Sequence, residues 1–243
     1  MGCWRFSFQN PRAIIECNIP RTNQLPPSSV TLKSRSVSIF ASSDNLIQTQ
    51  DLTSKTSGYN VKFMALGACK LGISRYPNFE YNAQGGTGTG TAKKITSNDD
   101  MNEDEISVNF DIGTLFIPPL SSTTTKLLGL PLPPFLKIEI VPELFRGTIN
   151  QESGKIELEF RAKFLFTAGN IYEAPPLLVE TVLTSEESIG NIRSGRGERL
   201  DEDGRCRLVG VATVQPINDF FMNSFLSLPT ECLADLNAII TFF

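Results

Sequence analysis

The sequence offers few residues for conventional active-site chemistry, because its 243 residues include no histidine. Sites that depend on an imidazole are therefore excluded, namely Ser-His-Asp and Cys-His catalysis, zinc or haem with histidine ligands, and a histidine pH switch. The cysteines form no Cys-x-x-Cys pair. We interpret Cys69, Cys206 and Cys232 as small buried hydrophobic side chains in a reducing compartment, and we predict no metal site and no cofactor.

Arg193, Arg196 and Arg199 lie close together in a stretch that also contains two glycines. Guanidinium groups bind carboxylates and phosphates through paired hydrogen bonds, so these arginines are candidates for binding the head group of a fatty acid or lipid. On an extended strand, positions 193 and 199 point one way and 196 the other, so all three converge only at a bulge. The alternative is an exposed hairpin on which they balance nearby acidic residues.

Two carboxylates have a spacing that glycosidases use, since Glu157 and Glu159 are about 7 Å apart on one face of a strand. Lys155, Arg161 and Lys163 share that face, which predicts that the face is exposed to water. An exposed carboxylate has no reason for a raised pKa and makes a poor general acid. We therefore predict a structural role for both.

Glu139, Glu173 and Glu180 are each flanked by apolar residues. If one of them points into the interior, it needs a partner such as Arg146 or Arg161. A buried carboxylate of this kind is the most plausible acid or base in a protein without histidine.

Residues 85–91 alternate glycine with threonine and resemble a phosphate-binding loop only superficially. A P-loop requires lysine after Gly90, where Thr91 stands, and no strand-then-helix unit surrounds the segment. The pattern predicts an edge strand or a strand that crosses close to another backbone. We predict no nucleotide site here.

The elements that position these residues are predicted to be strands. From Lys155 to Phe166, apolar and polar residues alternate, which is typical of a strand with one dry and one wet face. Phe160 and Phe164 fall on the dry face, and the segment from Ile106 to Phe116 has a similar alternation. Further predicted strands are Asn60–Leu66, Cys69–Arg75, Thr87–Ile95, Leu136–Val141, Leu144–Ile149, Leu177–Thr184, Gly195–Leu200 and Arg205–Val214. Pro142, Pro175 and Pro176 are expected at strand ends or edges.

Many long strands joined by turns predict a mostly β fold, with an antiparallel β-barrel as the first choice and a β-sandwich as the alternative. Apolar residues spaced three to four apart after Pro229 predict a C-terminal helix over residues 230–243, with Thr230 as N-cap. The apolar residues 220–228 are expected to pack beneath this helix. An alternative role for this region is to touch a membrane or cap a ligand.

The N-terminal segment has a different composition from the rest of the chain. Residues 1–41 contain five basic residues and one acidic residue, are rich in serine, and lack the apolar run of a secretory signal. This composition predicts a disordered plastid transit peptide, and residues 37–42 resemble a chloroplast cleavage site. Residues 42–58 are predicted to be a flexible lead-in, and residues 59–243 a single β-rich domain. A disordered tail is the alternative for the leader.

Charge and hydropathy limit the possible partners. The formal charge of −4 argues against nucleic-acid binding, which requires a basic face. No segment has the ~18–20 consecutive apolar residues of a membrane-spanning helix. We expect a protein that is soluble or peripheral to a membrane.

Three segments carry a resemblance to a known group of proteins: residues 130–149, residues 174–177 and residues 204–212. Over residues 60–243 the chain resembles an uncharacterised group of plastid proteins of plants and algae, with similar proteins in cyanobacteria. The resemblance implies a chloroplast location, in the stroma or peripheral to the thylakoid. It supplies no activity and no catalytic residues.

The sequence favours a non-enzymatic protein that binds a hydrophobic or amphipathic ligand, such as a lipid, fatty acid, pigment or isoprenoid. Its 17 phenylalanines, including Phe160 and Phe164, would line the interior, and Arg193, Arg196 and Arg199 would bind a head group. One alternative is an assembly factor or scaffold for a thylakoid complex, using the apolar residues 127–135 and 220–228. Another is a cyclase or isomerase that uses a buried carboxylate.

Overall fold

The computed structural model describes residues 58–73, 75–95 and 104–243. The predicted leader over residues 1–41 lies outside the described residues, as do residues 42–57 of the predicted lead-in. Gly58, the last residue of the lead-in, begins the first strand.

The described chain is mostly β, as the sequence predicts, with one short helix near the C-terminus. The strands are β1 (Gly58–Ala65), β2 (Cys69–Ile73), β3 (Tyr76–Tyr81), β4 (Thr87–Lys94), β5 (Glu105–Phe110), β6 (Thr125–Leu127), β7 (Leu130–Pro131), β8 (Leu136–Asn150), β9 (Ile156–Ala168), β10 (Tyr172–Glu173), β11 (Leu177–Thr184), β12 (Glu187–Ile189), β13 (Ser194–Arg196), β14 (Arg205–Val214) and β15 (Thr230–Phe242), and the helix is α1 (Phe220–Leu226).

Eight of these strands form a ring within one large antiparallel sheet. Their order is β1-β4-β5-β8-β9-β11-β14-β15, and β15 pairs with β1 to close the ring. The β11–β14 neighbours share a single ladder pair, Thr184 with Val209, whereas β14 and β15 pair over ten residues. Because the ring closes on itself, each of these strands is paired on both sides over at least part of its length.

A second group of strands extends the sheet on one side. The edge of β15 that faces away from β14 pairs with β1 along its C-terminal half and with β2 along its N-terminal half. From β2 the sheet continues through β3 and β6 to β7. An isolated antiparallel bridge between Leu120 and Ile138 connects the segment before β6 to β8 of the ring. The interior beside β2, β3 and β6 is therefore enclosed partly by strands outside the ring.

The predicted alternation from Lys155 to Phe166 is confirmed in β9. Ile156, Leu158 and Ala162 are buried, whereas the charged residues between them are wholly or partly exposed. Pro142 lies inside β8 and not at a strand end. On the side away from β9, however, the ladder between β8 and β5 covers only residues 146–150 of β8, so Pro142 lies at an edge of the described ladders, which is the other position expected for it. The register between β8 and β9 shifts between Pro142 and Leu144, and such a bulge accommodates a residue without an N–H donor.

The predicted helix over residues 230–243 is wrong, because these residues form β15 and pair with β14 from Thr230 to Ile239. The helix of this region lies earlier, at α1. Asp219 caps its N-terminus, since the Asp219 carboxylate accepts a hydrogen bond from the Met222 N–H at 2.8 Å. It ends at Ser227, whose φ of 57° is left-handed. Residues 220–226 therefore form the helix themselves and do not lie beneath a later one.

Within the described residues the core consists of three apolar clusters. The first cluster fills the ring beside the start of β1 and the end of β15, and it includes Phe145 and Leu158. The second packs α1, through Met222 and Leu226, against the other end of the interior. The third includes Tyr81 and lies against the strands outside the ring.

Candidate functional site

An apolar cavity of about 380 Å³ lies between the three core clusters. None of the described residues that line it is charged, and almost all are aliphatic or aromatic. Its aromatic lining residues are Phe63, Tyr76, Phe79, Tyr81, Phe116, Phe145, Phe160, Phe164, Phe166 and Phe225. Its lining residues come from strands of the ring, among them β1, β8, β9, β11, β14 and β15, from β2, β3 and β6 outside the ring, and from α1.

One end of the cavity is closed by four phenylalanines, which we call the phenylalanine floor: Phe63, Phe110, Phe145 and Phe160. The ring of Phe145 is stacked on that of Phe110 with centroids 4.6 Å apart. Phe63 and Phe160 meet Phe145 edge-on, at 5.3 and 5.9 Å. Such aromatic contacts add to the hydrophobic effect, so this end is sealed by close packing.

The other end is covered by α1. Phe225 and Leu226 of the helix line the cavity. The ring of Phe225 lies 5.1 Å from Tyr76 and 6.0 Å from Phe166, measured between centroids. A helix of only 7 residues depends on such packing for its stability. The cover is therefore an element held by side-chain contacts with several neighbouring strands.

Polar atoms in the lining are already engaged in hydrogen bonds at two places. The Tyr81 hydroxyl donates to the backbone carbonyl of Pro118, and burial raises the pKa of this phenol. The Thr181 hydroxyl donates to the Val211 carbonyl at 2.9 Å. The Cys232 thiol also lines the cavity, and burial raises its pKa to about 11. The Tyr81 and Thr181 hydroxyl hydrogens are therefore already used within the protein.

The structure brings together two of the five residues predicted to bind a ligand. Phe160 and Phe164 both line the cavity. Arg193, Arg196 and Arg199 do not: they lie on the β12–β13 hairpin and the segment that follows it. Nε of Arg199 is 2.5 Å from the Glu186 carboxylate. A role for the three arginines in binding a head group stays a prediction, without contact to this cavity.

The three carboxylates considered for acid–base chemistry all lie on exposed surface. Glu139 and Glu173 are exposed, and Glu180 is an exposed partner of Arg161 at 3.6 Å. None of the three lines the cavity. The expectation that Glu157 and Glu159 share an exposed face is confirmed.

The sequence reasoning missed one buried carboxylate, that of Glu231. It accepts backbone hydrogen bonds from Asn191 and Ile192, each at 2.7 Å, and from Arg193 at 2.9 Å. These bonds hold the pKa of Glu231 below its ordinary value. Gly190 is required at this turn, since a Cβ there would lie 2.5 Å from the Glu231 carboxylate. Glu231 thus fastens the β12–β13 hairpin to β15.

The glycine and threonine segment forms β4, which pairs with β1 and with β5 and is therefore not an edge strand. The alternative prediction, close approach to another backbone, is confirmed. A Cβ at Gly90 would lie 2.3 Å from the carbonyl oxygen of Asn109. Gly90 therefore allows the backbones of β4 and β5 to approach closely.

In the described ranges, no three histidine, cysteine, aspartate or glutamate side chains are grouped so that they could hold a metal ion. Cys69, Cys206 and Cys232 are free thiols. No helix in this part of the chain is long and apolar enough to cross a membrane.

Comparisons of the chain with models of protein families, with curated proteins and with solved structures found no match.

Proposed function

We propose that this protein is a non-enzymatic binding protein for a hydrophobic or amphipathic ligand, and that its ring of eight strands is a β-barrel around the binding site. The observation that carries the proposal is the cavity of about 380 Å³. Its volume lies within the range of about 300–1,000 Å³ that small-molecule sites occupy. Barrels of eight strands are wide enough to enclose one small ligand.

The chemistry of the lining indicates the class of ligand. A hydrocarbon gains about 25 cal/mol for each Å² of apolar surface removed from water, and the lining of the cavity is almost wholly apolar. A charged group placed there would lose its hydration without gaining a partner. We therefore infer that the buried part of the ligand is an acyl, polyene or isoprenoid chain. Any charged head group would remain outside the cavity.

The same lining favours binding over catalysis. A cyclase or isomerase of the predicted kind needs a carboxylate beside its substrate. Glu139, Glu173 and Glu180 are exposed instead, and no acidic side chain is among the described lining residues.

We place the protein in the chloroplast, in the stroma or peripheral to the thylakoid, as part of the same proposal. Support comes from the composition of residues 1–41 and from the resemblance to plastid proteins. Lipids, pigments and isoprenoids of that compartment are ligands of the inferred class.

The test uses cis-parinaric acid, a fluorescent polyene fatty acid, and its methyl ester. We expect saturable binding of both by the full chain, with similar affinity because no charged side chain is among the described residues that line the cavity. Ala234→Phe adds a ring to a cavity-lining position and should weaken binding at least about tenfold. Leu178→Phe is the matched control, since Leu178 is exposed on β11.

Three results would contradict the proposal: no saturable binding of either probe, equal binding by the Ala234→Phe variant and the wild-type protein, or equal losses in the two variants. Circular dichroism on each variant separates loss of binding from loss of fold.

A further inference from the structure

Six of the large exposed apolar side chains lie on segments that border the cavity, namely the β6–β7 hairpin, the residue before β8, the β9–β10 turn and α1. We call the following residues the apolar rim: Leu128, Leu130, Phe135, Ile171, Phe220 and Phe221. Ile171 is 96% exposed, Phe220 89% and Phe135 64%. Large apolar residues grouped at one place on a surface mark a site of interaction with another molecule or a membrane.

Backbone and ring contacts place Phe135, Ile171 and Phe221 of the apolar rim on neighbouring segments. The Gly169 N–H donates to the Phe135 carbonyl at 2.7 Å, and the Ile171 N–H donates to the Ala168 carbonyl at 3.2 Å. The ring of Phe221 lies 5.2 Å from that of Tyr172. The start of β8, the β9–β10 turn and α1 therefore meet at this end of the molecule.

The apolar rim is continuous with the lining of the cavity. Phe135 precedes Leu136, and Leu128 follows Leu127, both of which line the cavity. Phe220 and Phe221 lie on the same helix as Phe225, which also lines it. A chain leaving the cavity beside α1 would pass directly onto these exposed side chains.

The surface around the apolar rim has no excess of basic side chains. Residues 125–137, 169–173 and 217–229 carry two lysines, Lys126 and Lys137, and two acids, Glu173 and Asp219. Both lysines also have an acid beside them, since Lys137 pairs with Glu139 and Lys126 lies opposite Glu80. A basic patch is needed to attract an anionic lipid surface, so this surface suits a bilayer of lipids without net charge.

We propose that the apolar rim docks on a lipid bilayer of zwitterionic or uncharged lipids, and that the ligand exchanges between the bilayer and the cavity beneath α1. The docking step concerns the surface alone, and the exchange step rests on the proposed function. A bilayer accepts aromatic and aliphatic side chains from several segments into its interface without a shaped partner surface. Gly58, where the described strands begin, and Phe243 lie away from the apolar rim. Asn60 exchanges backbone hydrogen bonds with Phe243, which follows the end of β15 that is remote from α1.

The test measures flotation of the full chain, without added ligand, on vesicles of phosphatidylcholine. The rim variant is Ile171→Ser with Phe220→Ser. The control variant is Phe243→Ser with Val182→Ser, which removes one exposed aromatic and one exposed aliphatic residue away from the apolar rim. We expect the bound fraction to fall at least about tenfold in the rim variant and by less than about twofold in the control.

A fluorescence measurement locates the contact. The only tryptophan of the chain is Trp4, so Trp4→Phe combined with Phe220→Trp reports on α1 alone. We expect a blue shift on adding the vesicles, and quenching by lipids brominated on their acyl chains. An unchanged emission while the protein floats would overturn the docking of this end.

Three further results would overturn the proposal: no flotation of the wild-type protein, equal losses in the rim and control variants, and flotation only on anionic phosphatidylglycerol vesicles that high salt abolishes. A wild-type dimer in gel filtration that the rim variant converts to a monomer would also overturn it, because a second copy would then cover the apolar rim. A protein that binds cis-parinaric acid but does not float contradicts the docking alone. One that floats but does not bind the probe contradicts the proposed function.

Discussion

The ring of Phe110 lies nearly parallel to that of Phe145, at an interplanar angle of 22°, and this pair forms the centre of the phenylalanine floor. Phe110 comes from β5 and Phe145 from β8, two strands that are neighbours in the ring. Phe63 and Phe160 complete the floor from β1 and β9. The contact therefore joins four strands of the ring at the point where packing ends and the cavity begins.

Phe145→Ala should lower the free energy of unfolding by ~3–5 kcal/mol, because Phe145 is only 3% exposed and its removal leaves a void between three other rings. Urea denaturation followed by circular dichroism measures this loss. The control is Phe135→Ala, an exposed residue whose replacement should change stability by less than about 0.5 kcal/mol. Equal losses in the two variants would contradict the assignment of Phe145 to the floor.

Glu231→Gln should loosen the β12–β13 hairpin without unfolding the ring. The amide retains one acceptor oxygen where the carboxylate accepts three backbone hydrogen bonds, and bonds to a charged acceptor are stronger than bonds to a neutral one. We expect the amides of residues 191–193 to exchange at least about tenfold faster. Hydrogen exchange measured by mass spectrometry checks this, with β9 amides as the internal control. Unchanged exchange at residues 191–193 would show that the hairpin is held by other contacts.

The contribution of Glu231 should also depend on pH. Backbone hydrogen bonds hold its folded-state pKa below the ordinary value of 4.5, so it stabilises the folded state above that pH and loses this effect as pH falls towards the folded-state pKa. The difference in urea midpoint between the wild-type protein and Glu231→Gln should therefore be constant near neutral pH and shrink below about 4.5. Glu143 and Glu186 also have lowered pKa values, but they are present in both proteins and cancel. A difference that grows on acidification would contradict the direction of the shift.

The alternation in β9 could be predicted from the sequence because one face of that strand is dry and the other carries an ion-paired surface. Arg161 and Lys163 both reach Glu143, at 3.4 and 2.5 Å. When one face of a strand contacts solvent and the other contacts the core, the polarity of each residue indicates which face its side chain occupies. Placement of Phe160 and Phe164 in the lining follows from the same alternation.

The sequence of β15 predicts a helix, although the segment is a strand, because some apolar residues lie on each of its faces. Its inward residues include Ala234 and Leu236, which line the cavity. On the outward face, Leu233 packs beneath the β12–β13 hairpin, and a Cβ at Gly195 would lie 3.0 Å from the Leu233 side chain. Two outward apolar residues, Leu233 and Ile239, interrupt the period of two. Together with the inward Leu236 and Ile240 they give a spacing of three to four residues, which imitates a helix.

The partners of Glu231 could not be found from the sequence because they are backbone N–H groups about 40 positions away. A backbone N–H group is present in almost every residue, so the amino-acid types at positions 191–193 do not reveal that they bind Glu231. The cavity is lined by residues from many elements that are distant in the sequence, so no local pattern predicts it.

Cys232 allows the position of a ligand to be tested directly. Its thiol lines the cavity, whereas that of Cys206 is buried in the core cluster near the described termini and does not. Burial raises the two pKa values to about 11 and about 12, so at mildly alkaline pH both thiols are almost wholly protonated and react slowly. An apolar reagent such as N-phenylmaleimide should enter the cavity and modify Cys232 first.

cis-Parinaric acid should protect Cys232 against this reagent by occupying the same space. At a ligand concentration about ten times Kd the site is about nine-tenths filled, so modification of Cys232 should slow about tenfold. The rate at Cys206, followed by mass spectrometry of its peptide, provides the control for any general stabilisation of the fold. Equal protection of both thiols would indicate that the ligand only suppresses unfolding, and no protection of Cys232 at saturation would place the ligand outside the cavity.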